Sequence, residues 1–136
     1  MRETVLLINF QDKKRLREIQ MMLMTAKLRQ RLVKKEEYLQ TIGALAGVNG
    51  MELTEEIYTG EELGEEMMVF ASLTENHLNQ ILYLMRKSNG GPVAYKAVMT
   101  ETNREWKVRD LYAELAKEHE AMQKLKKKEG TDDHEN

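Results

Sequence analysis

Apolar residues run unbroken over residues 67–71 (MMVFA), and nearly so over 5–10 (VLLINF) and 93–99 (VAYKAVM), with polar residues closing each run. Runs this short with apolar residues on successive positions read as strands buried on both faces. A fourth segment, 28–33, sets Leu28 and Leu32 among Arg29 and Arg31. It reads as an edge strand whose charges guard against unwanted pairing.

Between these runs the apolar period lengthens to three and four. Asp12 is a capping residue ahead of Leu16, Ile19, Leu23 and Ala26, and Met21, Met22 and Met24 widen that stripe as flexible core filling. Thr74 caps a second helix with Leu78, Ile81, Leu82 and Met85 on one side, and Leu73 is placed to staple against Leu78. Arg86 and Lys87 suit the negative end of that helix, and NGGP at 89–92 ends it.

Residues 35–46 read as a helix with Tyr38, Leu39, Ile42, Leu45 and Ala46 along one side and Gly47 as its C-cap. Gly43 inside it either costs ~1 kcal/mol relative to alanine or marks a close approach of two backbones. Thr102 and Glu105 match a capping box, which starts the last helix near Asn103. Val108, Leu111, Leu115 and Met122 form its inner face, with Tyr112 and the lone His119 beside them as structural residues. The pattern lasts to about Lys128, ~39 Å of helix. That length overhangs a small sheet, so the end either frays or packs on a second copy.

The resulting order is β, α, β, α, acidic loop, β, α, β, α. It predicts an α/β fold, a small three-layer sandwich with a mostly parallel four-stranded sheet in the order 2-1-3-4. The alternative is a ferredoxin-like α+β domain, βαββαβ, with residues 35–66 decorating the link between the middle strands. Either way residues 1–128 form a single domain with an acidic excursion at 48–66, and 129–136 are expected to be a disordered tail.

Composition narrows the function. Among 136 residues, 41% are hydrophobic and 21 basic residues nearly balance 23 acidic ones, as in a soluble globular chain. No run approaches a membrane span and no leader-like segment stands at the start, so a cytoplasmic location without membrane contact is expected. The absence of cysteine excludes disulfides, thiolate nucleophiles and cysteine-held clusters. His77, His119 and His134 have no metal-ligand spacing. No metal and no cofactor is therefore expected.

A net charge of -2 offers nucleic acid no general attraction, but the charge is uneven: residues 13–35 hold nine basic and one acidic residue, and 52–66 hold seven acidic and no basic ones. Nucleic-acid binding through the segment from Lys13 to Lys35 is a disfavoured alternative. The acidic segment lacks the spacing of a calcium loop and reads as a solvated face or a complement to the basic region.

Catalytic motifs are missing: there is no GxGxxG after the first strand, no GxxxxGK[ST], no GxSxG and no HExxH. Asp12 stands without the companion carboxylates of a phosphate-accepting receiver domain. No catalytic residue is assigned and an enzyme is not favoured. In a parallel sheet the carboxyl ends of the strands converge, and Asn9, Lys34, Ser72, Thr74, Thr100, Thr102 and Asn103 would line one crevice. Such hydroxyls, amides and helix N–H groups suit a small anionic or phosphorylated ligand. The simpler reading of the same residues is as ordinary caps. The leading functional reading is a non-enzymatic binding, regulatory or protein-interaction module, homo-oligomeric through its C-terminal helix. A small enzyme or a binder of an anionic ligand is the alternative.

The segments VLLINF (5–10), KKEEYLQTIGALAG (34–47), MMVFASLT (67–74), KAVMTETNREW (96–106) and LYAELAKEHEAM (111–122) together resemble the uncharacterised bacterial family known as domain of unknown function 3783. The resemblance covers most of the chain. It implies no activity, ligand or catalytic residue, and it is compatible with a binding or regulatory module.

Overall fold

The computed structural model describes residues 1–88 and 92–134. Four strands, β1 (Thr4–Ile8), β2 (Arg29–Val33), β3 (Met67–Ala71) and β4 (Tyr95–Val98), form one sheet in the order β2-β1-β3-β4. The helices are α1 (Lys13–Thr25), α2 (Ile42–Ala46), α3 (Glu75–Lys87) and α4 (Val108–His134), with short 3₁₀ turns at Lys35–Glu37 and Asn103–Glu105. The strand order and the three layers are those predicted.

Two of the three strand pairings are parallel, β1 with β2 and β3 with β4, while the central pairing of β1 with β3 is antiparallel. The sheet is therefore two βαβ units set head to tail. The ferredoxin-like alternative does not hold, because β1 and β2 are direct neighbours and neither unit is split by an inserted strand.

Every residue of β1 and β3 is buried, which explains their unbroken apolar runs. Val5, Leu7, Met68 and Phe70 face α1 and α3, where Ile19, Leu23, Ile81 and Met85 meet them. Leu6, Ile8, Met67 and Val69 face the other layer, built from Tyr38, α2 and the start of α4. Burying each large side chain contributes roughly 1.5–3 kcal/mol, so these two central strands supply a large share of the stability. The leucine-rich side of α3 lies against β3 and β4 as its periodicity requires.

Three boundaries differ from the sequence reading. Residues 35–46 are not one helix: a 3₁₀ turn is followed by a turn, and α2 starts afresh behind Thr41, whose Oγ1 accepts from Ala44 N–H at 3.2 Å. Gly47 closes α2 in the left-handed region at φ 87. A Cβ at Gly43 would displace the flexible end of Met51 and stand 3.0 Å from the Arg104 carbonyl oxygen, so this glycine does mark a close approach of backbones.

The last helix starts at Val108, not near Asn103. Thr102 makes no side-chain cap; instead Thr100 and Asn103 cap each other, with Thr100 N–H donating to Asn103 Oδ1 (2.7 Å) and Asn103 N–H to Thr100 Oγ1 (3.0 Å). The early N–H groups of α4 find their acceptors in another segment: Val108 N–H donates to the Gln40 carbonyl and Arg109 N–H to that of Tyr38, both at 3.1 Å. α4 continues to His134, beyond Lys128 where the apolar pattern ends. The predicted stop at Asn89, Gly90 and Gly91 lies outside the described residues. Among the described residues no helix is long and apolar enough to cross a membrane.

Candidate functional site

The antiparallel centre decides where the polar residues fall. Ile8, the last residue of β1, pairs with Met67, the first of β3, so the carboxyl ends of the two units lie at opposite edges of the sheet. The single crevice expected from a mostly parallel sheet is not formed. Asn9 and Lys34 stand at one edge; Ser72, Thr74, Thr100, Thr102 and Asn103 stand at the other.

At the first edge Asn9 leaves β1 with φ 61, a left-handed conformation that asparagine tolerates. Its Nδ2 donates to the carbonyls of Leu63 (2.7 Å) and Glu65 (3.1 Å), and Gln11 Nε2 donates to its Oδ1 at 2.6 Å. Asn9 thus pins the acidic excursion, residues 48–66, as a strap. Arg15 pairs with Glu66 at 2.9 Å, and Lys107 with Glu56 at 3.1 Å. Gln40 donates to the Thr54 carbonyl at 2.8 Å and accepts from Thr54 N–H at 2.7 Å.

The buried Tyr38 hydroxyl donates to Glu62 at 2.7 Å. Burial first, and then the neighbouring Glu62 carboxylate, push this phenol above its ordinary range, so it stays protonated and acts as a fixed donor. Lys34 donates its backbone N–H to Glu37 Oε1 at 3.0 Å, closing the 3₁₀ turn. Of the nine basic residues in 13–35, only Arg15 is shown paired to the strap; Arg31 pairs locally with Glu37 at 2.6 Å.

At the second edge Ser72 leaves β3 with φ 63 and places its hydroxyl 3.3 Å from Met1 Sδ. Thr74 caps α3, its Oγ1 accepting from His77 N–H at 3.2 Å, as its position in the sequence predicts. The anion at this helix terminus belongs to the chain itself. Glu3 accepts the Thr74 N–H at 2.9 Å and faces His77 Nδ1 at 2.7 Å. The Thr74 N–H, followed by the His77 ring, holds the Glu3 carboxyl below the usual value of 4.5. Thr100 and Asn103 are occupied by their mutual cap, and Asn103 Nδ2 also donates to the Val98 carbonyl at 3.0 Å. Thr102 is in the same turn, but its carbonyl, not its hydroxyl, takes part, accepting from Glu105 N–H at 3.4 Å.

Sequence reasoning did not find the Glu3–His77 pair or the Tyr38–Glu62 bond. Each joins residues far apart in the chain, 74 and 24 positions, and no local spacing encodes them. The Asn9, Thr74, Thr100 and Asn103 side chains are thus engaged by groups of the same chain.

Apolar groups are exposed at two places away from these edges. Two hollows of about 190 and 170 Å³ lie side by side between α3 and β4, and Val98 is 50% exposed there. On α4 every residue from Lys117 to Lys127 is exposed, including Met122 and Leu125.

The second unit, with its capped α3 and the α4 that follows, is also where comparison with known proteins gives a result. Residues 66–122 match the family model described as Domain of unknown function (DUF3783). The match begins one residue before β3 and ends in the middle of α4, so it takes in the second βαβ unit and none of the first. The resemblance drawn from MMVFASLT, KAVMTETNREW and LYAELAKEHEAM is supported over this stretch; the segments at 5–10 and 34–47 lie outside it. No curated protein and no solved structure matches the chain.

Proposed function

We propose that this chain is a non-enzymatic protein-interaction module that pairs with a second copy of itself through the outer part of α4. The observation that carries this reading is the continuation of one helical stripe from a buried setting into an exposed one. Val108 and Leu111 are buried and Leu115 is partly buried, all against the sheet layer. Met122 and Leu125 extend the same seam, yet each is 58% exposed. These five positions fit the first and fourth places of a seven-residue repeat, the seam of a coiled coil, with Glu118 at the remaining place.

Charge argues for an antiparallel arrangement. Through residue 120 α4 carries Asp110, Glu114, Glu118 and Glu120 against Arg109 and Lys117, and residues 121–128 carry Lys124, Lys126, Lys127 and Lys128 and no acid. Antiparallel partners set the lysines of one copy beside the carboxylates of the other. A projecting helix without a partner has no packing to offset its conformational entropy, and short isolated helices are marginal in water.

Light scattering on three versions tests the reading: the full chain, a chain ending at Gln123, and the full chain with Met122→Lys and Leu125→Lys. The full chain is expected to be a dimer that weakens with salt, and the other two monomers. A full chain that stays monomeric at about 100 µM, tenfold above a 10 µM dissociation constant, overturns it.

A further inference from the structure

We propose a second interaction surface, independent of α4: the outer edge of β4 accepts an extended segment of a partner protein as a fifth strand. It selects an apolar side chain with a carboxylate two residues away.

The backbone shows the vacancy. Tyr95 N–H donates to the Glu66 carbonyl (3.2 Å) and Met99 N–H to that of Phe70 (2.8 Å), so alternate residues face β3. Lys96 and Val98 then present their N–H groups to the outside, as strand alternation requires. β4 ends the sheet, and its outer side faces no other strand among the described residues. Of the two outward carbonyls, that of Val98 is taken by Asn103 and that of Lys96 points away from the sheet. The opposite edge differs: β2 carries Arg29 and Arg31, and Gln30 folds its amide back to the Gln20 carbonyl at 3.2 Å. Two arginines in five residues blunt an edge against strand addition, whereas β4 carries the single Lys96 and turns two N–H groups outward.

The side chains supply selectivity. The first hollow, about 190 Å³, has an apolar floor of Phe70, Leu78 and Leu82 with Val98 at its rim. The second, about 170 Å³, shares Leu82 and Lys96 with the first and adds Arg86. Both are smaller than the about 300–1,000 Å³ of a small-molecule site and match single side chains instead. Neighbouring side chains on one face of a strand are about 7 Å apart, the repeat that seats one in each hollow. An aliphatic group suits the first. A carboxylate suits the second, which Lys96 and Arg86 both line. Lys96 borders both hollows and Arg86 only the second, so the positive charge is greater at the second.

The test uses the full chain and a fluorescein-labelled peptide, Thr-Val-Thr-Glu-Thr-Val-Thr, which presents the pair in either direction, against the same peptide with lysine in place of glutamate. Anisotropy is expected to show saturable binding of the acidic peptide and at least about tenfold weaker binding of the basic one. Lys96→Glu, an exposed change that leaves the core intact, is expected to abolish that preference. Val98→Pro removes one outward N–H without touching the β3 ladder and is expected to weaken both peptides. On binding, the Lys96 and Val98 amides become protected from hydrogen exchange. Equal binding of the two peptides, no binding at about 1 mM, or unchanged exchange at both amides overturns the proposal. Dimerisation through α4 is unaffected by these substitutions, so failure here and failure there are distinguishable.

Discussion

In the first βαβ unit β1 ends at Ile8, Asn9 turns with φ 61 and Asp12 caps α1; in the second, β3 ends at Ala71, Ser72 turns with φ 63 and Thr74 caps α3. The layout is shared almost residue for residue, and the antiparallel centre relates the two units head to tail. Their ends are nevertheless closed by different means. Asn9 reaches across to the strap and holds two of its carbonyls, whereas Ser72 holds nothing comparable and the Glu3 carboxylate from the other unit covers the α3 terminus. Equivalent backbone positions can thus carry unequal energetic weight. A left-handed turn required by geometry is filled by asparagine where the side chain has a task and by serine where it has little.

Substitutions at matched positions test this contrast. The largest effects are expected in the centre, where Phe70→Ala costs about 3–5 kcal/mol and Leu7→Ala about 2–5 kcal/mol in urea unfolding. Because β1 and β3 pair over their whole length, both are expected to lower one common transition. Two separate transitions would show that the units fold independently.

Next comes the matched pair of turns. Asn9→Gly keeps the backbone conformation but removes both bonds to the strap, for an expected loss of about 1–3 kcal/mol. Ser72→Gly relieves left-handed strain and loses only a weak sulfur contact, for a gain of at most about 1 kcal/mol. Equal losses at the two sites would refute the distinction. Tyr38→Phe removes the donor to Glu62, with an expected loss of about 1 kcal/mol and faster exchange of strap amides.

The smallest effect is a pH dependence at the second edge. Glu3 has a folded-state value below 4.5, so its contribution is complete above that pH and is lost as the pH falls through the lowered value. Protection of the Thr74 amide is expected to decline over that acid range in the natural chain. Glu3→Gln, uncharged throughout, is expected to show no such decline, and matching profiles would rule out the carboxylate as its cause.

Much of this architecture was legible along the chain. The strand at 67–71 and, to within one residue, that at 28–33, the caps at Asp12 and Thr74, the glycine at 47 and the 2-1-3-4 order follow from local chemistry and from the shortness of the connections. The site was less legible. All seven candidate residues lie just past strands or at caps, as expected, but Asn9 and Lys34 are at the opposite edge from the other five. The capping pattern at Thr102 and Glu105 was also a false lead, since Thr100 with Asn103 offers the same spacing with better geometry.

Periodicity and capping are short-range, and they settle which residues form helices and strands and which of their faces turn inward. The relative direction of β1 and β3 is not of that kind. Some sixty residues separate the two strands, both are apolar on both faces, and either direction buries the same surface. Only the packing of the intervening strap and α2, with their bonds to Asn9, Gln40 and Tyr38, selects the antiparallel arrangement. That choice separates the polar ends of the two units.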